Sequence, residues 1–240
     1  MAGMRSNRDI FISYVNSFKF KGKESNRKLN HSVRVSMLCK GIAKSLNLSE
    51  KEIELAELIG LVHDIGRFWQ WEKYQTFDDS KSIDHALLGI EVLFENKVIE
   101  DFNVDIKDFQ TIKDAVFYHN KYKVDNALNL ESLIMVKIIR DADKADILCM
   151  VANDILPLEE DGQKLSEQVV RSFLNKTSVK ILDVHNLSDK ILFQLAFIFD
   201  LNFEYTKKFV KKERCLDVIY EKLEKKEVIK PYFEFGKRYL

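Results

Sequence analysis

Apolar residues in this chain recur mostly at steps of three and four, the period of helices with one buried face. Ile10, Phe11, Tyr14, Val15 and Phe18 mark a first amphipathic helix over residues 8–20, and the polar run KGKESN then breaks the pattern. A second helix is expected from about Asn26 to Leu46, with His31, Val35, Leu38 and Ile42 on one stripe. Ser49, followed three residues later by Glu52, is a capping box that starts a third helix. Ile53, Ala56, Ile59 and Gly60 carry that helix into VHDIG, and Gly66 is its expected stop.

Residues 66–82 read as a loop crowded with Phe68, Trp69, Trp71, Tyr74 and Phe77. Such a loop either packs down under its own rings or forms a wall over a neighbouring site. Further helices are expected at 82–96, with His85, Leu88 and Val92 on one face, and at 106–120, with Ile112, Val116 and His119. A long helix follows over 130–155, where Val136, Ile139, Asp143, Ile147 and Met150 share a stripe. Beyond Pro157 the pattern predicts helices near 163–174, 188–203, 205–224 and 226–238, the last of them laced with Lys and Glu on a solvated face. With 8 Gly and 2 Pro in 240 residues, turns are few. The expected fold class is all-α, a compact multi-helix bundle forming one domain over 1–240, its core at about 25–155 and a helical C-terminal part at 156–240.

Composition narrows the function classes. Lys and Arg number 38, Asp and Glu also 38, and the two signs are mixed along the chain. A nucleic-acid partner has no strong signal, because it calls for a concentrated basic surface. Cys39, Cys149 and Cys215 are isolated, with no CxxC pair, so neither a zinc knuckle nor a redox motif is expected, and free buried thiols fit a reducing, cytoplasmic setting. The most apolar run, Ile191–Phe199, is interrupted by Gln194 and falls far short of the ~20 residues a membrane span needs. No membrane association is expected.

The chemistry lies in polar residues on greasy faces. His31, His63, His85, His119 and Asp143 all sit on apolar stripes of successive helices. Burying an unpaired polar group costs on the order of several kcal/mol, and a divalent ion would partner all of these groups at once. The adjacent pair His63-Asp64 points two side chains about 100° apart on a helix, so both can meet one ion only near the helix end. Nitrogen and oxygen donors without thiolates suit Mn, Fe, Co, Ni, Zn or Mg rather than a soft-metal site.

These strings resemble the HD-domain superfamily of metal-dependent phosphohydrolases, an all-α HD-domain bundle. The family pattern is an upstream His, an adjacent His-Asp pair and a distant Asp within A-D-[KR]. This chain has His31 in LNHSVRV, His63-Asp64 in LVHDIGR and Asp143 in RDADKADIL. The resemblance covers about residues 25–150. It implies metal ligation by His31, His63, Asp64 and Asp143, with Asp141 an alternative last ligand and Asp146 in a supporting role. Binuclear members resemble H…HD…H…H…D, which adds His85 and His119 and makes Asp64 a bridge between two ions; in a one-ion site the two histidines contact phosphate instead. Asp64 is expected to be catalytic. Arg67, Lys144 and Arg34 are the expected phosphate-binding cations, the first two also candidates for catalysis. The implied activity is hydrolysis of a phosphoester, in a nucleotide or another small phosphorylated molecule, by a metal-activated water. Two other readings stay open: a nucleotide-sensing module without turnover, and a di-iron oxygenase of the six-ligand type. Assembly into a homo-oligomer is also left open.

Overall fold

A computed structural model describes residues 5–19, 22–153, 156, 158–159 and 161–240, and no strand occurs among them. Two compact units form, residues 1–142 and 143–240. In the first unit the helices are α1 (Asn7–Ser17), α2 (Lys23–Ser45), α3 (Glu50–Val62), α4 (Gly66–Tyr74), α5 (His85–Ile90) and α6 (Phe109–Tyr118). The long α7 (Leu130–Ala152) contains the division between the units. The second unit continues with α8 (Glu167–Leu174), α9 (Leu187–Leu195), α10 (Glu204–Lys212), α11 (Cys215–Lys222) and α12 (Lys230–Tyr239).

Helix α3 begins as its sequence demands. Ser49 accepts a hydrogen bond from the Glu52 amide, and the Glu52 carboxylate receives the Ser49 amide at 2.8 Å. Its apolar face packs along α2. Gly60 permits the close approach, since a Cβ there would lie 2.6 Å from Ser36 Cα. The core of this unit gathers Phe11, Val35, Ile42, Ile59, Ile65, Phe68, Leu93, Ile112 and Val116, all at most 1% exposed.

Several boundaries differ from expectation. The stretch expected to be a loop opens with α4, a nine-residue helix that buries Phe68 and Gln70. Its inner face carries one polar residue, which masks the helical stripe in the sequence. Gly66 does not end α3; it starts α4, and none of its role rests on a left-handed backbone. Instead a Cβ at Gly66 would lie 2.4 Å from the His85 carbonyl oxygen and 2.6 Å from the Gly89 nitrogen, so α4 and α5 meet backbone to backbone. The helix expected over 82–96 is α5 followed by a π-helical turn, Glu91–Glu95. Residues 106–108 form a 3₁₀ turn before α6. In the second unit, the helix expected over 205–224 is broken at Arg214, which adopts φ 52° and separates α10 from α11. The segment 188–203 becomes α9 and a 3₁₀ turn, Ala196–Asp200. The expected end of the long helix, at residues 154–155, lies outside the described residues.

Cys149 and Cys215 are not isolated: their Sγ atoms approach to 2.8 Å across 66 positions of sequence. Tertiary packing of α7 on α11 makes this pair, and no sequence spacing announces it. No described helix is long and apolar enough to cross a membrane.

Candidate metal centre

Four imidazoles and one carboxylate converge inside the first unit. His31 is 2% exposed, His63 0%, Asp64 3%, His85 4% and His119 2%, so the group is closed to bulk water. His31 projects from the middle of α2, and the close α2–α3 contact at Gly60 sets its ring 5.2 Å from that of His63. His63 caps the C-terminus of α3, and His119 does the same on α6. His85 is the first residue of α5.

Asp64 sits at the middle of the group, and its two oxygens face different pairs. Oδ2 lies 3.7 Å from His31 Nε2 and 3.9 Å from His63 Nε2. Oδ1 lies 3.4 Å from His85 Nε2 and 3.8 Å from His119 Nε2. The donor atoms of His31, His63 and Asp64 fall within 4.8 Å of one another, and so do those of Asp64, His85 and His119. Metal–ligand bonds of about 2.0–2.2 Å put two ligands on one ion at most about 4.4 Å apart, so each trio is close to the spacing that one ion requires.

The tautomers fit the same reading. A carbonyl oxygen can only accept, so the Nδ1 of His63 donates its proton to Gly60 at 2.8 Å, and the Nδ1 of His119 to Val116 at 2.7 Å. His85 donates its Nδ1 proton to the Asp79 carboxylate at 2.6 Å. In the neutral form of each of these three rings the lone pair then lies on Nε2. The Nε2 atoms of His85 and His119 stand 3.0 Å apart, where two lone pairs repel unless a cation draws on both. A proton is the poorer choice for His85, because burial, aided by the Arg67 charge, lowers its pKa against the pull of Asp79 and Asp64. A divalent ion satisfies both rings, so the residues present fit one.

Cations surround the carboxylate. Burial alone would raise the Asp64 pKa, but Lys28, at 2.7 Å from Oδ2, leads the nearby charges, Arg67 among them, that hold it well below the usual carboxylate range. Lys28 lies on α2 one turn before His31, and sequence reasoning passed over it, although i, i+3 spacing puts the two on one face. Its ammonium also stands 5.3 Å from the centre of the Phe77 ring, beside the Arg27 guanidinium at 5.7 Å.

Arg67 brings its Nε to 3.5 Å from Asp64 Oδ1, while its Nη1 donates to Gln70, to the Phe77 carbonyl and to Asp79 Oδ1. Gln70, fully buried, donates to Asp79 Oδ1, Ser82 Oγ and the Ile83 carbonyl. Segment 75–84 is thereby pinned onto α4, with Phe77 packed at 4.6 Å against Trp71. Asp84 caps α5 at the Ala86 amide and pairs with Lys121 and Asn120 just beyond α6. Arg140 closes the end of α6, donating to the carbonyls of Tyr118, His119 and Lys121. A guanidinium at a helix C-terminus complements the helix dipole. Asp79, Gln70 and Arg140 were not legible from periodicity, because each acts through a partner distant in sequence.

The other expected residues lie as follows. Arg34 is half-buried on α2. Asp143 is half-buried on α7 and opens the second unit, while Asp141 and Asp146 are buried. Lys144 pairs with Asp200 at 3.0 Å and stands over the Phe197 ring. His185 is exposed.

Comparison with known proteins agrees with this geometry. Residues 29–148 match the family model described as HD domain. Over 100 residues the chain is 29% identical to Ribonuclease Y of Mycoplasmoides gallisepticum, a match covering 40% of this chain and 16% of that protein. No solved structure matches the chain.

Proposed function

The chain belongs to the HD-domain family, within a superfamily of metal-dependent phosphohydrolases, and from that premise we propose that it hydrolyses a phosphoester of a nucleotide or another small phosphorylated molecule, with two divalent ions that His31, His63, His85, His119 and the shared carboxylate of Asp64 would hold. The observation that carries the reading is the split of Asp64, one oxygen toward His31 and His63, the other toward His85 and His119. One matched relative is named as a ribonuclease, which supports a phosphoester as the bond class.

Bound divalent ions supply Lewis acidity toward a phosphoryl oxygen and bring the pKa of water from about 15.7 toward about 7. The protein's own task is then positioning and charge. Backbone carbonyls fix the rings of His63 and His119 with Nε2 inward. Asp64 stays ionised under the charges of Lys28 and Arg67. Lys28 and Arg67 are the cations assigned to a phosphoryl oxygen, Arg67 being held in place through the bonds of its Nη1 to Gln70, Phe77 and Asp79. Phe77 and Trp71 offer rings to a base. Asp143 retains the ligand role its motif implies as part of this proposal, and metal content of Asp143→Ala tests it.

The decisive experiment strips the protein of metal, reloads it with Mn²⁺, Fe²⁺, Co²⁺, Ni²⁺, Zn²⁺ or Mg²⁺, and follows phosphate release from phosphomonoesters, nucleotides and short RNA. Asp64→Ala is expected to lose metal and turnover together while keeping its helical circular dichroism. Oxygen uptake without phosphate release would replace the hydrolase with an oxygenase. Tight nucleotide binding without turnover under any metal would leave a sensor.

A further inference from the structure

We propose that Asp79 is a positioning residue that fixes the His85 tautomer and so decides whether the His85–His119 half of the centre holds its ion. This rests on the two-ion reading above and adds a residue that lies outside the H…HD…H…H…D pattern.

Each histidine's place in its helix decides what can hold its ring. His63 and His119 end their helices, so each finds the carbonyl three residues back and locks its Nδ1 proton there. His85 begins α5 and has no preceding helical turn to serve it. Its acceptor must come from elsewhere, and Asp79 Oδ2 provides it at 2.6 Å. Outer carboxylates of this kind orient metal-binding imidazoles and hold their tautomer.

Asp79 is itself held by a network that leaves little freedom. Its Oδ1 accepts from Arg67 and from Gln70, both at 2.8 Å. Gln70 cannot turn its amide over without losing Ser82 and the Ile83 carbonyl, to which the same nitrogen donates. Both oxygens of Asp79 are therefore required as acceptors, one facing the Arg67–Gln70 pair and the other facing His85. A carboxylate meets that demand and an amide cannot.

Asparagine at this position thus makes a sharp test. Two donors, one of them charged, claim its single oxygen, and its NH₂ then turns toward His85. That forces the imidazole to accept at Nδ1 and to carry its proton on Nε2, the atom facing Asp64 and His119. An isosteric change removes the lone pair that an ion would use.

The experiment measures ions per chain and stepwise Mn²⁺ affinity for wild type, Asp79→Asn, Asp79→Ala and His85→Ala, with ¹⁵N-histidine NMR of the metal-free proteins. Wild type is expected to bind two ions. Asp79→Asn should weaken the second ion by roughly 10–100-fold, leave the first unchanged, and move the His85 proton from Nδ1 to Nε2. Asp79→Ala, which leaves Nδ1 to water, should fall between wild type and Asp79→Asn and supplies a second readout should the amide disturb folding. Wild-type affinity for both ions in Asp79→Asn, or an unmoved His85 proton, would overturn the proposal while sparing the two-ion centre. A wild type that binds one ion, unchanged by His85→Ala, would overturn the two-ion reading and this proposal with it.

Discussion

Lys28 and Asp64 make a nearly dry ion pair, the lysine side chain 17% exposed and the aspartate 4%. Removing one partner of a buried pair costs about 3–5 kcal/mol, because the other charge stays behind without compensation. Arg67 at 3.5 Å softens that cost here. Lys28→Met is therefore expected to destabilise the metal-free protein by about 2 kcal/mol in urea unfolding, somewhat less than a fully stranded charge would cost. The loss should shrink when Mn²⁺ is present, because the ion then supplies the positive charge. An equal loss with and without metal would show that the ion does not meet Asp64. In turnover assays the same variant should raise KM for a phosphoester more than it lowers kcat, as expected of a group that binds phosphate in both ground and transition states.

Elements, rather than single residues, decide whether these side chains meet, and glycine at Gly66 illustrates it. A methyl group there would collide with the backbone of α5 at two atoms, neither able to swing aside. Gly66→Ala should cost about 2 kcal/mol or more, in the range of overpacked sites, and should reduce metal content by displacing His85. Gly89→Ala, whose Cβ would meet the Val116 side chain at 3.3 Å and nothing closer, should be milder in both respects. Thermal melts with metal analysis of both variants check the order. In the second unit, Asp161 accepts from the amides of Gln163 and Leu187 and from Ser188, and these bonds, led by that from Gln163, bring its pKa down to about 2. A depressed folded-state value stabilises fully above the ordinary value of 3.8 and is lost as pH falls through about 2. The stability gap between wild type and Asp161→Ala should thus be wide near about pH 5 and narrow by about pH 3 in urea titrations. Most helices were legible in the sequence, because each turns one apolar stripe inward, and so were His31, His63, Asp64, His85 and His119, which the fold brings together. Hidden were α4, whose inner face carries Gln70, and Asp79, whose partners are side chains gathered by folding.

At the scale of the molecule, the centre is a burden on the fold that a bound ion would relieve. Four imidazoles and a carboxylate occupy the interior of the first unit where aliphatic side chains would otherwise pack. Facing lone pairs on His85 and His119 add repulsion. A ligand that binds the folded state alone stabilises it by mass action, by about 2.7 kcal/mol at a hundredfold excess over Kd. For a chain of this size that corresponds to a rise in melting temperature of roughly 5–10 °C. Melting should therefore rise with added Mn²⁺ and fall with a chelator, in proportion to the logarithm of free metal. Asp64→Ala removes the shared ligand and should show no such dependence. It also removes the most deeply buried charge of the cluster, so its metal-free form should melt no lower than metal-free wild type once Lys28 is changed to Met in the same chain. A wild-type melting temperature indifferent to metal and chelator would mean that these groups reach their balance without an ion, and the centre would then be a polar core serving structure alone.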